Sequence, residues 1–447
     1  MLKRGVYFVI FIATIFFVSG AMAADLTAME SLGKKLYNDT NLSLNFNQSC
    51  QTCHHQSAKF ADPENTKDPL VMPVSDGSDP ALFGGRNAPT AAYAGFSPVL
   101  TCEIVDKELF CFGGMFWDGR ATGLEATDTG GIIVGGEITG PTYDPLSDQA
   151  KGPFQNPIEM ALTPDQVIER VRAGNYEQAF KNAFGPEYDL FTKPDHVLYN
   201  DIAIAIAEFE ESADLNKFSS KFDRFAEESK INLSGVVFGA DGTIVDENGK
   251  FIEYNSEWLF SEKELRGLAL FNSPNDNNGV LDLNEGGNCA ACHPSGPITD
   301  PTDSQGQILF TDFTYDNLGV PVNPTAYALH YGSDNPDDWD TDLGLYTTLT
   351  GLLGYKKNQA KGTKGLFRVS TLRNIARTAP YSHNGFFATL TDIVNFYNTR
   401  DLPEAGWPEA EVPETVNLDE LGNLGLSSEG PDNDVAALVA FMNTLTD

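Results

Sequence analysis

Four of the six cysteines in this chain fall in two pentapeptides, Cys50-Gln-Thr-Cys53-His54 and Cys289-Ala-Ala-Cys292-His293. Both read C-x-x-C-H, the sequence that c-type haem attachment requires. Two thiols three positions apart sit on one side of a helical turn and can form thioethers with two vinyl groups, while the adjacent histidine turns under the ring to ligate iron. Zinc is the competing chemistry, but neither motif has the further Cys/His pair that closes a structural zinc site. Two covalently bound haem c groups are expected, with His54 and His293 as iron ligands.

The segments that must position these motifs resemble each other. Leu32-Gly-Lys-Lys-Leu36-Tyr37 leads to the first and Arg266-Gly-Leu-Ala-Leu270-Phe271 to the second, as an internal duplication would. Ser261 with Glu264 predicts a capping box opening the second of these helices, with Leu265, Leu268 and Ala269 on one face. Thr163-Pro-Asp-Gln166 predicts a helix running through Val167 and Val171, and Val435 to Leu445 another. Between the halves, Gly239-Ala-Asp-Gly242 and Asp246-Glu-Asn-Gly249 alternate with Val236, Val237, Ile244, Val245 and Phe251, which predicts a small β-hairpin. The expected fold is mainly α: two cytochrome c-like haem domains, residues 24–230 and 258–447, with a hairpin insertion at 231–257.

The chain of 447 residues is too long for one comfortable core, which also favours two domains. Lys3 and Arg4, an apolar stretch from Val6 to Val18, and Ala21-Met22-Ala23 read as a secretory signal cleaved near Ala23, so a periplasmic protein is expected. A retained anchor is the alternative, but the apolar core falls short of the roughly 20 residues that span a bilayer. The net charge is −34. Cleavage removes two basic residues and no acidic ones, deepening it to −36, with 27 Lys and Arg against 63 Asp and Glu. Nucleic acid and anionic membranes are therefore poor partners, whereas a basic protein donor would be steered in.

Beyond these motifs the chain resembles the bacterial diheme cytochrome c peroxidase family, which includes MauG, the enzyme that matures methylamine dehydrogenase. The resemblance rests on Arg86-Asn-Ala-Pro-Thr90, Phe116-Trp-Asp-Gly-Arg120, Gly152-Pro-Phe-Gln-Asn-Pro-Ile-Glu-Met160, Asn317-Leu-Gly-Val-Pro321, Phe367-Arg-Val-Ser-Thr-Leu-Arg-Asn374, Thr378-Ala-Pro-Tyr381 and His383-Asn-Gly385. It implies that the N-terminal haem reacts with peroxide and the C-terminal haem receives electrons. Gln149 and Glu159 fall at its distal-pocket positions. A partly buried carboxylate there can take a proton from one peroxide oxygen and return it to the other. Trp117 matches the residue between the haems. Asn87, Thr378 and Pro380 match a calcium site at the inter-haem boundary, oxygen donors that suit this ion. His383 is expected to support the second haem pocket through hydrogen bonds. Homodimers occur in the family, though nothing in this sequence marks an interface.

The sequence departs from the family in four places. Many of the peroxidases carry a histidine that caps the N-terminal haem until the other is reduced, but residues 56–85 contain none. His55 directly follows the proximal His54 and is read as a surface or supporting residue. The first haem is therefore expected to be five-coordinate or water-bound, without reductive activation. Where the peroxidases place a methionine over the second haem this chain has Tyr397, which shares a helix face with Ile393 and Val394. This is the MauG-like arrangement, and an oxygen ligand lowers the haem potential relative to methionine. Met442 and His330 are the other candidates. Cys102 and Cys111 lie in extra sequence and favour a local disulfide in an oxidising compartment. A glycine-rich insertion over roughly 126–148 ends at Gln149, beside the expected pocket. His196 has no assigned role.

These readings imply reduction of hydrogen peroxide to water with electrons from a small redox protein, such as a monohaem cytochrome c or a cupredoxin. The alternatives are a MauG-like oxidase, in which peroxide-generated high-valent iron oxidises residues of a partner protein, and a diheme electron carrier.

Overall fold

The computed structural model describes residues 25–105, 107–124, 144–229, 260–282, 285–296, 307–430 and 433–447. It also describes the backbone of two strand pairs, Ile133–Val134 with Glu137–Ile138 and Val237–Phe238 with Ile244–Val245. The expected signal segment and most of the 126–148 and 231–257 segments lie outside the described residues. Within 231–257 the described backbone is an antiparallel pair at the place where alternation predicts a hairpin.

The described chain is mainly helical, with small two-stranded antiparallel sheets. Its apolar residues form two large clusters, one holding Leu32, Tyr37, Tyr199 and Ile206, the other Leu268, Phe271, Phe310 and Phe441. Each is built on a crossed helix pair, Ala28–Tyr37 on Asp195–Glu211 and Glu262–Asn272 on Asp434–Asn443. The two pairs cross at equivalent glycines. A Cβ on Gly33 would lie 1.7 Å from the Ala205 carbonyl oxygen and 2.8 Å from Phe209 Cβ, and one on Gly267 would lie 2.0 Å from the Ala437 oxygen and 2.8 Å from Phe441 Cβ. Four residues on, Tyr37 meets Phe209 edge-on at 5.2 Å and Phe271 meets Phe441 at 5.0 Å. The duplication visible in the sequence is thus a duplicated helix crossing. Gly33→Ala and Gly267→Ala each force their helices apart, and we expect a loss of about 1–3 kcal/mol from either, read from denaturant unfolding.

Capping explains the helix starts. Thr27, Thr163, Ser261 and Thr389 each accept from the backbone N–H of the residue three positions on, whose side chain in turn accepts from the cap's own N–H. The Cys102–Cys111 disulfide joins directly paired residues of strands Thr101–Val105 and Glu108–Phe112. No helix among the described residues is long and apolar enough to cross a membrane.

The halves are knotted together at Arg373, which is 1% exposed. Its Nη1 and Nη2 donate to Asp223 at 2.9 and 2.8 Å, and its Nε to the Ile308 carbonyl at 2.6 Å. The guanidinium lies over Tyr93 of the first cluster and Phe310 of the second.

Candidate haem sites

Each attachment motif forms a tight turn, Cys50–Cys53 as one helical turn and Cys289–Ala291 as a 3-10 turn. Cys50 packs on the first apolar cluster and Cys289 on the second. The histidines are oriented alike: His54 Nδ1 faces the Phe60 carbonyl at 3.2 Å and His293 Nδ1 the Phe310 carbonyl at 2.8 Å. A ring whose Nδ1–H donates to a backbone carbonyl leaves Nε2 as the free acceptor, the tautomer that ligates iron. Burial holds both imidazoles below their ordinary pKa, which keeps them neutral. Burial also raises all four thiols, Cys289 to about 12. Tyr37 adds a bond of its own, its hydroxyl donating to the His54 carbonyl at 2.8 Å. The equivalent Phe271 has no such group.

Around the second motif the protein leaves a large cavity lined by Cys289, Cys292, His293, Trp117 and Tyr397. Three buried polar atoms in its lining residues have no hydrogen-bond partner: Arg368 Nε, and His383 Nε2 and Glu411 Oε2, which face each other at 3.8 Å. An apolar cavity beside two thiols and a neutral histidine, with Arg368 in its lining, fits a macrocycle that carries carboxylates. The residues present fit haem.

Glu159 lies near the first motif. Its charge bears on both Cys50 and Cys53, raising their thiols further. Burial lifts its own carboxyl above the ordinary range, against the opposing pull of Arg120 and of a 2.6 Å hydrogen bond from Asn156 Nδ2. Gln149 is half-buried on helix Pro145–Gln155. It shares a helix face with Gly152, which packs against the Phe116 ring, and that ring lies 3.7 Å beneath the Arg120 guanidinium. His55 instead caps the next turn, its Nδ1 accepting from the Ser57 backbone N–H at 3.1 Å.

Trp117, Asn87, Thr378 and Pro380 all line the second cavity. Trp117 Nε1 donates to the Asn87 carbonyl at 2.8 Å, and Asn87 N–H to the His383 carbonyl at 2.8 Å. Tyr397 lies on helix Leu390–Thr399 near both thiols of the second motif. Burial first, then those thiols and Asp316, push its phenol well above the ordinary range. A nearby cation would oppose that trend.

One expectation is corrected. His330 is no candidate ligand: it sits on helix Pro324–Tyr331 away from the cavity, with Nδ1 on the Phe83 carbonyl at 2.8 Å. His383 lines the cavity with its backbone carbonyl accepting from the Asn87 N–H at 2.8 Å, its Nε2 facing Glu411 Oε2 at 3.8 Å and its ring stacked on Phe367 at 3.6 Å. Met442 does line the cavity, and His196 is exposed. Sequence reasoning passed over Asn156 and Arg368 although both stand within quoted blocks, because only the fold shows that Asn156 reaches Glu159 and that Arg368 Nε goes unpaired.

The family described as di-haem cytochrome c peroxidase matches residues 27–230. The methylamine utilization protein MauG of Paracoccus denitrificans is 31% identical over 437 residues, covering 94% of this chain and 89% of that protein. Cytochrome c551 peroxidase of Pseudomonas aeruginosa is 26% identical over 417 residues, covering 93% and 78%. Among solved structures, the diheme peroxidase BthA of Burkholderia thailandensis is 27% identical with a TM-score of 0.66, covering 96% and 88%. The diheme character of these relatives implies two haem c groups. This chain belongs to the diheme cytochrome c peroxidase and MauG family.

Proposed function

We propose that the chain is an exported, periplasmic peroxidase that reduces hydrogen peroxide at the His54 site, taking electrons from a small redox protein at the His293 site. The observation that carries this reading is Glu159: a carboxyl raised by burial, hydrogen-bonded by Asn156, and close enough to bear on Cys50 and Cys53. Haem bound at each motif supplies the iron and its redox equivalents. Glu159 takes a proton from one peroxide oxygen and delivers it to the other, and a carboxyl already raised toward neutrality suits both directions. The Gln149 amide orients the peroxide, and Trp117 stands on the electron path between the sites. Two electrons and two protons convert one peroxide to two waters.

A MauG-like activity, oxidising residues of a partner protein, is the second reading, favoured by Tyr397 in the second cavity. Stopped-flow mixing of the oxidised protein with peroxide, followed by a reduced monohaem cytochrome c, separates the two. Rapid reaction with repeated cytochrome oxidation supports the peroxidase, whereas rapid reaction with slow cytochrome consumption supports the second reading. No response to peroxide overturns both and leaves an electron carrier.

If Tyr397 ligates the second haem, Tyr397→Met raises that haem's reduction potential, measured by spectroelectrochemical titration. Calcium is proposed at Asn87, Thr378 and Pro380, supported by all three lining the same cavity. Chelation is expected to change the haem absorption spectrum, with calcium restoring it. An unchanged spectrum in calcium-free protein, verified by elemental analysis, would count against the ion.

A further inference from the structure

We propose that Arg368 is an anion-binding residue of the second cavity and takes a carboxylate of the haem held by Cys289, Cys292 and His293. Arg368 lines that cavity, and its Nε is buried without a partner. Among the described residues its one side-chain hydrogen bond is a long one, from Nη1 to Ser97 Oγ at 3.4 Å. The other deep guanidiniums differ. Arg86 donates to Asp342 through Nε and Nη2 at 2.7 and 2.8 Å and meets Asp118 at 2.7 Å, and Arg373 holds Asp223 through two nitrogens. No carboxylate pairs with Arg368 among the described residues. The Tyr315 phenol, whose anion would attract it, is kept protonated and uncharged by burial and donates to the Gly113 carbonyl at 2.6 Å.

A guanidinium cannot shed its proton to escape burial, so the charge stays and must be met by an anion. The planar fork suits a carboxylate, and haem carries two. The place is held firmly. The Arg368 N–H donates to the Trp117 carbonyl at 2.8 Å, strand Phe367–Arg368 pairs with Tyr315–Asp316, and the preceding Phe367 stacks on His383. Arg368 therefore puts a fixed positive charge beside Trp117, where the two halves meet. A cation at this point favours the reduced, more negative state of the haem and so raises its potential.

The same chemistry would hold a small free anion such as chloride, and the test separates the two. Midpoint potentials of both haems are measured in the full chain carrying both haems, as wild type, Arg368→Gln and Arg368→Lys, with attachment checked by haem content and folding by circular dichroism. Arg368→Gln is expected to lower the potential of the His293 haem more than that of the His54 haem. Arg368→Lys keeps the charge and should stay closer to wild type. Redox-difference infrared spectra should show the haem carboxylate band displaced in both variants. If Arg368→Gln does not accumulate, the infrared shift in Arg368→Lys carries the test. Unmoved potentials with an unmoved carboxylate band would overturn the proposal. So would a wild-type potential that follows chloride concentration at constant ionic strength, since that places a free ion on Arg368. The inference rests on haem attachment and its readout is not turnover, so failure of the peroxide reading leaves it standing.

Discussion

Glu159→Gln is expected to slow consumption of peroxide by the oxidised protein by about 10²–10⁴-fold, the range that a positioned proton-transferring group supplies. The substitution keeps the shape and the contact with Asn156 Nδ2 on one oxygen, but removes the group that can accept and return a proton. Haem content and the unreacted absorption spectrum should stay as in wild type. A pH profile adds a second readout. Glu159 works first as a carboxylate, and burial raises its folded pKa above the ordinary 4.5. The rate should therefore fall as pH drops through that raised value, placing the acid limb above the range of an exposed glutamate, and Glu159→Gln should abolish the limb. Stopped-flow rates between about pH 4 and 8 check both. A variant that reacts as fast as wild type would remove Glu159 from the mechanism, whatever else the chain does with peroxide.

The largest effect on stability is expected from Arg373→Met, about 3–5 kcal/mol, the usual cost of removing one partner of a buried ion pair. Arg373 is surrounded by Asp223, the Ile308 carbonyl and the faces of Tyr93, Phe218 and Phe310, so its loss strands a carboxylate and empties a site where the two halves touch. The pair also predicts a pH dependence. Burial alone would raise Asp223, but its hydrogen bonds and attraction to Arg373 outweigh burial and hold it below the ordinary carboxylate range. A group depressed on folding stabilises the protein above its unfolded pKa, and that contribution is lost as pH falls through the folded value. Wild type should therefore lose this part of its stability only below about pH 4. Arg373→Met should already lack it at neutral pH. Denaturant midpoints of the two proteins across that range measure the difference.

How much of this was legible beforehand depended on whether a feature is local in the chain. The haem motifs are local, since three-residue spacing and an adjacent histidine suffice to place two thiols and a ligand on one turn. Capping boxes at Thr163 and Ser261 are equally local, because each closes within three residues. The duplication was also visible, as Gly33 and Gly267 stand in matching contexts, although what those glycines do was not. Their role is set by carbonyl groups 172 and 170 positions away, at Ala205 and Ala437. The candidate residues Gln149, Glu159 and Trp117 came from resemblance, because no periodicity says that a glutamate will lie near a cysteine about a hundred positions earlier.

Composition, the two attachment motifs, the helix starts and the repeated helix were determined by the sequence itself, because each rests on interactions between near neighbours along the chain. Tertiary structure alone decided which charges find partners. Arg86, Arg368 and Arg373 look alike in sequence, yet two are neutralised by carboxylates from distant segments and one lines a cavity with no carboxylate on it among the described residues. Pairing of buried charges depends on distances through space, and only the packed chain sets those distances.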